Sequence, residues 1–213
     1  MSVSPARRAF TAAWAVVLLA VSAAACSQEP TARPPAPSPT PIARLNTAGM
    51  KLPRIEFCSL VPSGAVKDAL GAKPEADSSW GNGDQAAVTP TVRDVVHELG
   101  CEWRGSTGTS TGTSARAWVF ARPVDQALAR TVIRAGGRER GCRVVTGPEF
   151  GTPAATQVCQ GSATGVRVRH TGLFGETWLS CEVTGPAGTA LTDVRSRADA
   201  WCVQVAEALD AAS

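Results

Sequence analysis

Apolar and polar residues alternate along the second half of the chain with two distinct periods. Leu99, Cys101 and Trp103 alternate with Gly100, Glu102 and Arg104, the period-two pattern of a strand with one buried face. The run Ala115–Ala121, which holds Trp118, Val119 and Phe120, predicts a second strand. The two can pair as a hairpin across the Gly/Ser/Thr-rich insert Gly105–Ala115. Short strands are expected near Arg143–Val145 and Thr156–Cys159. Val166, Val168 and His170 alternate with Arg167 and Arg169, and Thr177, Leu179, Cys181 and Val183 mark the strand after them.

Helical spacing occurs three times. Pro62 opens a first helix whose Val66 and Leu70 share a face, and Gly71 supplies its stop. Pro123 opens a second, with Val124, Leu128 and Val132 at i, i+4 and i+8, ending at Gly136-Gly137. The third carries the clearest stripe: Val194, Ala198, Trp201, Cys202, Val205 and Leu209, opposite Arg195, Arg197, Asp199 and Glu207. Residues 72–93 show neither period and are expected to be irregular. These elements predict an α+β domain, a mainly antiparallel sheet with helices packed on one face.

The N-terminus carries a different pattern. Arg7 and Arg8 precede an apolar run from Phe10 to about Ala25, and Ala23-Ala24-Ala25 stand directly before Cys26. The run is short for a membrane span, and its flanking charge is that of a secretory signal. Small residues before a lone Cys resemble the lipobox of bacterial lipoproteins, in which the Cys sulfur takes a diacylglycerol after cleavage. Residues 1–25 are therefore expected to be a lipoprotein signal and Cys26 the lipid attachment site. A plain signal peptide cut after Ala25 would instead leave Cys26 as an exposed thiol, an oxidation liability. Pro30, Pro34, Pro35, Pro37, Pro39 and Pro41 then crowd a stretch without apolar periodicity. Residues 26–52 are expected to form an extended tether with polyproline-like stretches. A single extracytoplasmic domain follows over 53–213.

An exported chain can hold disulfides, and the domain contains six cysteines. The expected pairs are Cys58–Cys101, Cys142–Cys159 and Cys181–Cys202. The last would join the final helix to the sheet, since Cys202 lies on the helix stripe and Cys181 on the inward face of the strand before it. No two cysteines form a CxxC pair, which speaks against a zinc ribbon or a redox motif.

Charge adds little. The 21 basic and 18 acidic residues of the chain become 19 and 18 once residues 1–25 are removed, too even for a nucleic-acid binder. Only His97 and His170 supply imidazole. His97 beside Glu98 makes no metal set, and His170 is expected to be a part-buried, hydrogen-bonded side chain. There is no SxxK, HExxH, P-loop or dinucleotide fingerprint. Neither metal, cofactor nor catalytic residue is expected. A possible anion-binding cluster is basic: Arg134, Arg138, Arg140 and Arg143 in one Gly-rich turn, with Arg167 and Arg169 on a strand that could lie nearby.

Phe57-Cys58-Ser59-Leu60-Val61-Pro62, Ala69-Leu70-Gly71 and Gly100-Cys101-Glu102-Trp103 together form a CSL…ALG…GCxW pattern. It resembles a family of actinobacterial surface lipoproteins known only as a domain of unknown function. The resemblance covers the first half of the domain and implies a cell-envelope lipoprotein; no catalytic residues carry over from it. The expected function is a non-catalytic lipoprotein on the extracytoplasmic face of the cell membrane, binding a small ligand, lipid or envelope component. A structural or accessory subunit of the envelope is the alternative, and an enzyme with an unfamiliar site the third.

Overall fold

The computed structural model describes residues 39–54, 57–87, 91, 93–105, 112–161 and 165–213. Residues 1–38, and with them the signal, Cys26 and the first half of the tether, lie outside the described residues. So do residues 106–111 of the Gly/Ser/Thr-rich insert. In chain order the elements are a 3-10 turn (Ile42–Arg44), α1 (Phe57–Leu60), α2 (Ser63–Leu70), β1 (Pro74–Trp80), β2 (Gln85–Ala87), β3 (Arg93–Val95), β4 (Glu98–Gly105) and β5 (Thr113–Phe120). They continue with α3 (Gln126–Gly136), β6 (Cys142–Val145), β7 (Ala154–Gly161), β8 (Gly165–Phe174), β9 (Thr177–Gly185) and α4 (Leu191–Asp210).

Seven strands form one antiparallel sheet in the order β1-β4-β5-β9-β8-β7-β6, while β2 and β3 make a separate hairpin. The α+β class therefore holds. The α4 stripe lies on one face, with Val194, Ala198, Trp201, Cys202, Val205 and Leu209 all fully buried. Beneath it the sheet offers Ala115, Ala117, Val119, Val168, Leu179, Cys181 and Val183. Small Ala side chains on β5 let the large Trp201 ring approach, and its indole N–H donates to the Arg116 carbonyl at 2.9 Å. Trp103 meets Trp201 edge-on, with ring centroids 5.6 Å apart. On this same side, α2 packs against α4, and Arg197 of α4 caps the end of α2 through the carbonyls of Ala69 and Leu70, at 3.2 and 3.1 Å. Burial, the dominant influence, lowers the pKa of that guanidinium.

The opposite face is covered only in part. There α3 rests on one end of the sheet through a small cluster of Val124, Ala129, Leu173 and Trp178, flanked by Phe120, Val132 and Ile133. The side chain of Asp125 caps α3, accepting from the Leu128 N–H at 2.8 Å. The helix thus starts three residues after Pro123, and Val124 is buried ahead of it rather than within it.

Several expectations are corrected. The described end of the segment expected as an extended tether, residues 39–52, packs on the domain. Ile42 and Leu52 are buried in the core, with Leu45 and Met50 packed against it. Proline density ends at Pro41, and the apolar residues beyond it suffice to dock the segment. The range 72–93, expected to be irregular, holds two strands among its described residues: β1 at the edge of the sheet, and β2, which pairs with β3. Residues 75–79 of β1 are all exposed, so no face of the strand is buried and no alternation marks it in the sequence.

Cys58–Cys101 and Cys142–Cys159 are disulfide-bonded, the second joining directly opposed residues of β6 and β7. The expected Cys181–Cys202 bond is absent. Both residues are fully buried where β9 meets α4, and the packing there leaves them as free thiols. Burial above all, with the Cys181 contact, pushes the Cys202 thiol well above its usual range.

Candidate functional site

The functional interest lies on the face of the sheet turned away from α4. Register sets its charges in one row. Glu102 of β4 opposes Arg116 of β5, Arg116 opposes Glu182 of β9, Glu182 opposes Arg169 of β8, and Arg169 opposes Gln157 of β7. Each is an outward position of its strand, so the alternation that buries one face writes an acid–base ladder across the other. Glu182 is 2% exposed at the centre. The Arg169 guanidinium donates to it at 2.6 and 2.8 Å, Arg167 lies 3.5 Å away and Arg116 3.8 Å.

Aromatic rings stand between these charges. The Arg116 guanidinium carbon lies 5.3 Å from the ring centres of both Trp80 and Trp118, and that of Arg169 lies 5.0 Å from Trp118. Gly100 makes this possible. Its cross-strand partner is Trp80, and a Cβ at Gly100 would collide with the Trp80 ring and come within 2.7 Å of the Trp118 Cβ. The missing side chain leaves the space in which the Trp80 ring lies.

Glu98 stands at the near end of this array. Its carboxyl lies by the Trp80 side chain and senses the charges of Arg116 and Arg169. Burial outweighs all three and raises its pKa above the ordinary carboxyl value. Three clefts share Glu98 as a wall. One of about 230 Å³ runs under α3 and includes Trp118, Phe120, Ile133, Gln157 and Arg169. One of about 640 Å³ opens toward Trp80, Gln85 and Arg116, and one of about 630 Å³ toward Val95, His97 and Phe120. The β2–β3 hairpin walls both outer clefts through Ala86.

The six arginines of the expected anion cluster are divided. Arg167 and Arg169 do lie near the 134–143 turn, because Arg167 hydrogen-bonds Glu139 of that turn and Arg169 lies 3.8 Å from it. These two are neither solvent-facing nor free, however: Glu139 and Glu182 compensate them. Burial acts against ionisation of Glu139, but the Arg167 hydrogen bond and the Arg167 and Arg169 charges prevail and lower its pKa. Arg140 and Arg167 wall a separate cleft of about 340 Å³. Exposed Arg143 reaches Gln160 at 3.4 Å, exposed Arg134 donates to Thr131 on its own helix at 2.9 Å, and Arg138 is exposed on the turn. Glu139 lies in the basic turn itself, three residues from Cys142, where the sequence shows it. Glu182 comes from the next strand, and only the sheet register brings it to Arg169.

Among the described residues, Glu139, Cys142 and Cys159 are the group close enough together to hold a metal ion. Both sulfurs belong to the disulfide, so neither is a thiolate ligand. His170 is fully buried, beyond the part-burial expected of it, and its Nδ1 lies 2.9 Å from the Thr156 hydroxyl. His97 is exposed beside Glu98 and walls one of the three clefts.

The residues that sequence reasoning missed are Trp80, Trp118, Arg116 and Glu182, together with the central place of Glu98. The signal was available in part. The alternation that marked Cys101 and Cys181 as inward also marked Glu102 and Glu182 as outward on strands two apart in the sheet.

Set against known proteins, the chain matches no family model and no curated protein.

Proposed function

We propose that the chain is a non-catalytic, lipid-anchored lipoprotein of the extracytoplasmic face of the cell membrane, and that it binds a small ligand on the open face of its sheet. The observation that carries the binding part is the position of Glu98: a half-buried carboxyl at which three clefts meet, between aromatic rings and compensated charges. Concave sites with aromatic walls and a few convergent polar groups are the usual form of small-ligand sites. The anchor part rests on the signal-like residues 1–25 and on Cys26, and the CSL…ALG…GCxW pattern supports an envelope lipoprotein of actinobacterial type. The two disulfides suit an oxidising compartment.

The test has two arms. Full-length protein and a Cys26→Ala variant are expressed in a high-GC Gram-positive host and fractionated. The wild type is expected in the membrane with a diacylated N-terminal peptide by mass spectrometry, and the variant free of lipid. An unlipidated wild type released from the membrane would overturn the anchor. Native mass spectrometry of the detergent-extracted protein is expected to show an additional mass that leaves on denaturation. A bare mass would favour an accessory, protein-binding role instead.

A further inference from the structure

We infer that the cleft system around Glu98 takes a neutral, polyhydroxylated ring, a sugar unit of an envelope saccharide. This deepens the ligand-binding reading above and rests on it.

The three clefts are lined by Asp84, Asp94 and Glu98 on the acidic side and by Arg116, Arg122 and Arg169 on the basic side. An anionic ligand would meet the carboxylates, and a cationic one the guanidinium groups, two of them already seated against Trp80 and Trp118. A wholly apolar ligand would strip water from the half-buried Glu98 and return no hydrogen bond, which costs a few kcal/mol. A ring bearing hydroxyls meets every requirement. Each hydroxyl both donates and accepts, so one molecule can donate to Glu98 and accept from Arg116 or Arg169.

The apolar walls fit the other side of such a ring. Trp80 is half-buried, held flat by the space at Gly100, and lines the outer cleft with Arg116. The Arg116 guanidinium lies 5.3 Å from the ring centre, so the part of the half-buried indole left on the cleft wall offers apolar surface to the C–H groups of a sugar, beside donors for its hydroxyls. The outer clefts, about 630 and 640 Å³, fall within the size range of small-molecule sites, and both open to the surface through Glu98. An open groove of this kind suits a unit within a longer chain.

The test uses the full-length protein in a zwitterionic, sugar-free detergent on an array of immobilised neutral oligosaccharides, followed by titration with the soluble form of the best binder. Saturable binding that falls at least ten-fold in Glu98→Gln and in Trp80→Ala is expected. Near-UV circular dichroism checks that both variants are folded, and Glu98→Gln, nearly isosteric, keeps the test decisive if Trp80→Ala is not. A silent array overturns the inference. Binding that neither variant weakens also overturns it, since the sugar then sits elsewhere. If the array is silent and native mass spectrometry shows a retained anionic, cationic or apolar compound, the sugar class falls and the ligand-binding reading stands. If the array is silent and the mass is bare, both fall.

Discussion

His170 Nε2 lies 2.7 Å from Asp199 Oδ1, across the seam between β8 and α4. The imidazole is fully buried, while the Asp199 side chain is 31% exposed, so the contact runs from the interior toward the edge of the helix. With Thr156 on Nδ1, both ring nitrogens face a polar partner, although Nε2 and Oδ1 are close without hydrogen-bond alignment. Removing the carboxylate strands a buried nitrogen. Asp199→Ala is expected to cost roughly 2–4 kcal/mol by urea denaturation, and Asp199→Asn, which keeps a polar group there, clearly less. Equal costs for the two would show that the contact contributes nothing specific.

Glu98 and Glu139 should affect acid stability in opposite directions. The pKa of Glu139 is lowered in the fold, so its contribution is present above the ordinary carboxyl pKa and is lost as pH falls through the folded value. That of Glu98 is raised, so its ionisation penalises the fold at neutral pH and the penalty fades as pH falls through its folded value. Urea midpoints from pH 3 to 8 are expected to fall at neutral pH for Glu139→Gln, with the loss vanishing in acid. For Glu98→Gln they are expected to hold or rise at neutral pH. Midpoints that move in the same direction for both would contradict these environments.

The oxidised protein is expected to have an intact mass, lipid aside, about 4 Da below its fully reduced mass, since each disulfide removes two hydrogens. Iodoacetamide should leave Cys181 and Cys202 unmodified in the native protein and alkylate both after denaturation. A third bond, read as a deficit of about 6 Da, would refute the thiol pair.

Gly100→Ala should displace the Trp80 ring, because the new methyl occupies the same space. Overpacking of this kind costs about 1–3 kcal/mol. A shift of tryptophan emission without loss of secondary structure is expected; an unchanged spectrum with unchanged stability would show that the ring does not lie there. The chain has no Tyr, so the emission comes from Trp alone.

The helix stripes and central strands were legible because their faces are unequally wetted. Val194, Ala198, Trp201 and Cys202 announce the buried side of α4, and Leu99, Cys101 and Trp103 that of β4. β1 was not legible, since both its faces meet water and Glu75–Ser79 carry no period. The docked segment around Ile42 and Leu52 hid behind its prolines. The site was half legible: Arg167 and Arg169 were marked as outward, but Glu182 and Arg116 lie in other strands, and only the sheet order β5-β9-β8 brings them together. Trp80 enters through pairing with Gly100, a relation no local pattern encodes.

The two rims of the sheet are fastened differently. β6 is tied to β7 by Cys142–Cys159, whereas β1 is held to β4 by its backbone ladder, with no covalent tie to it among the described residues. Amide hydrogens of Glu75–Ser79 should therefore exchange through openings that leave those of β8 and β9 protected. Because Trp80 closes that looser strand, the groove beside Glu98 can widen by a local opening of one rim while the α4 core stays shut.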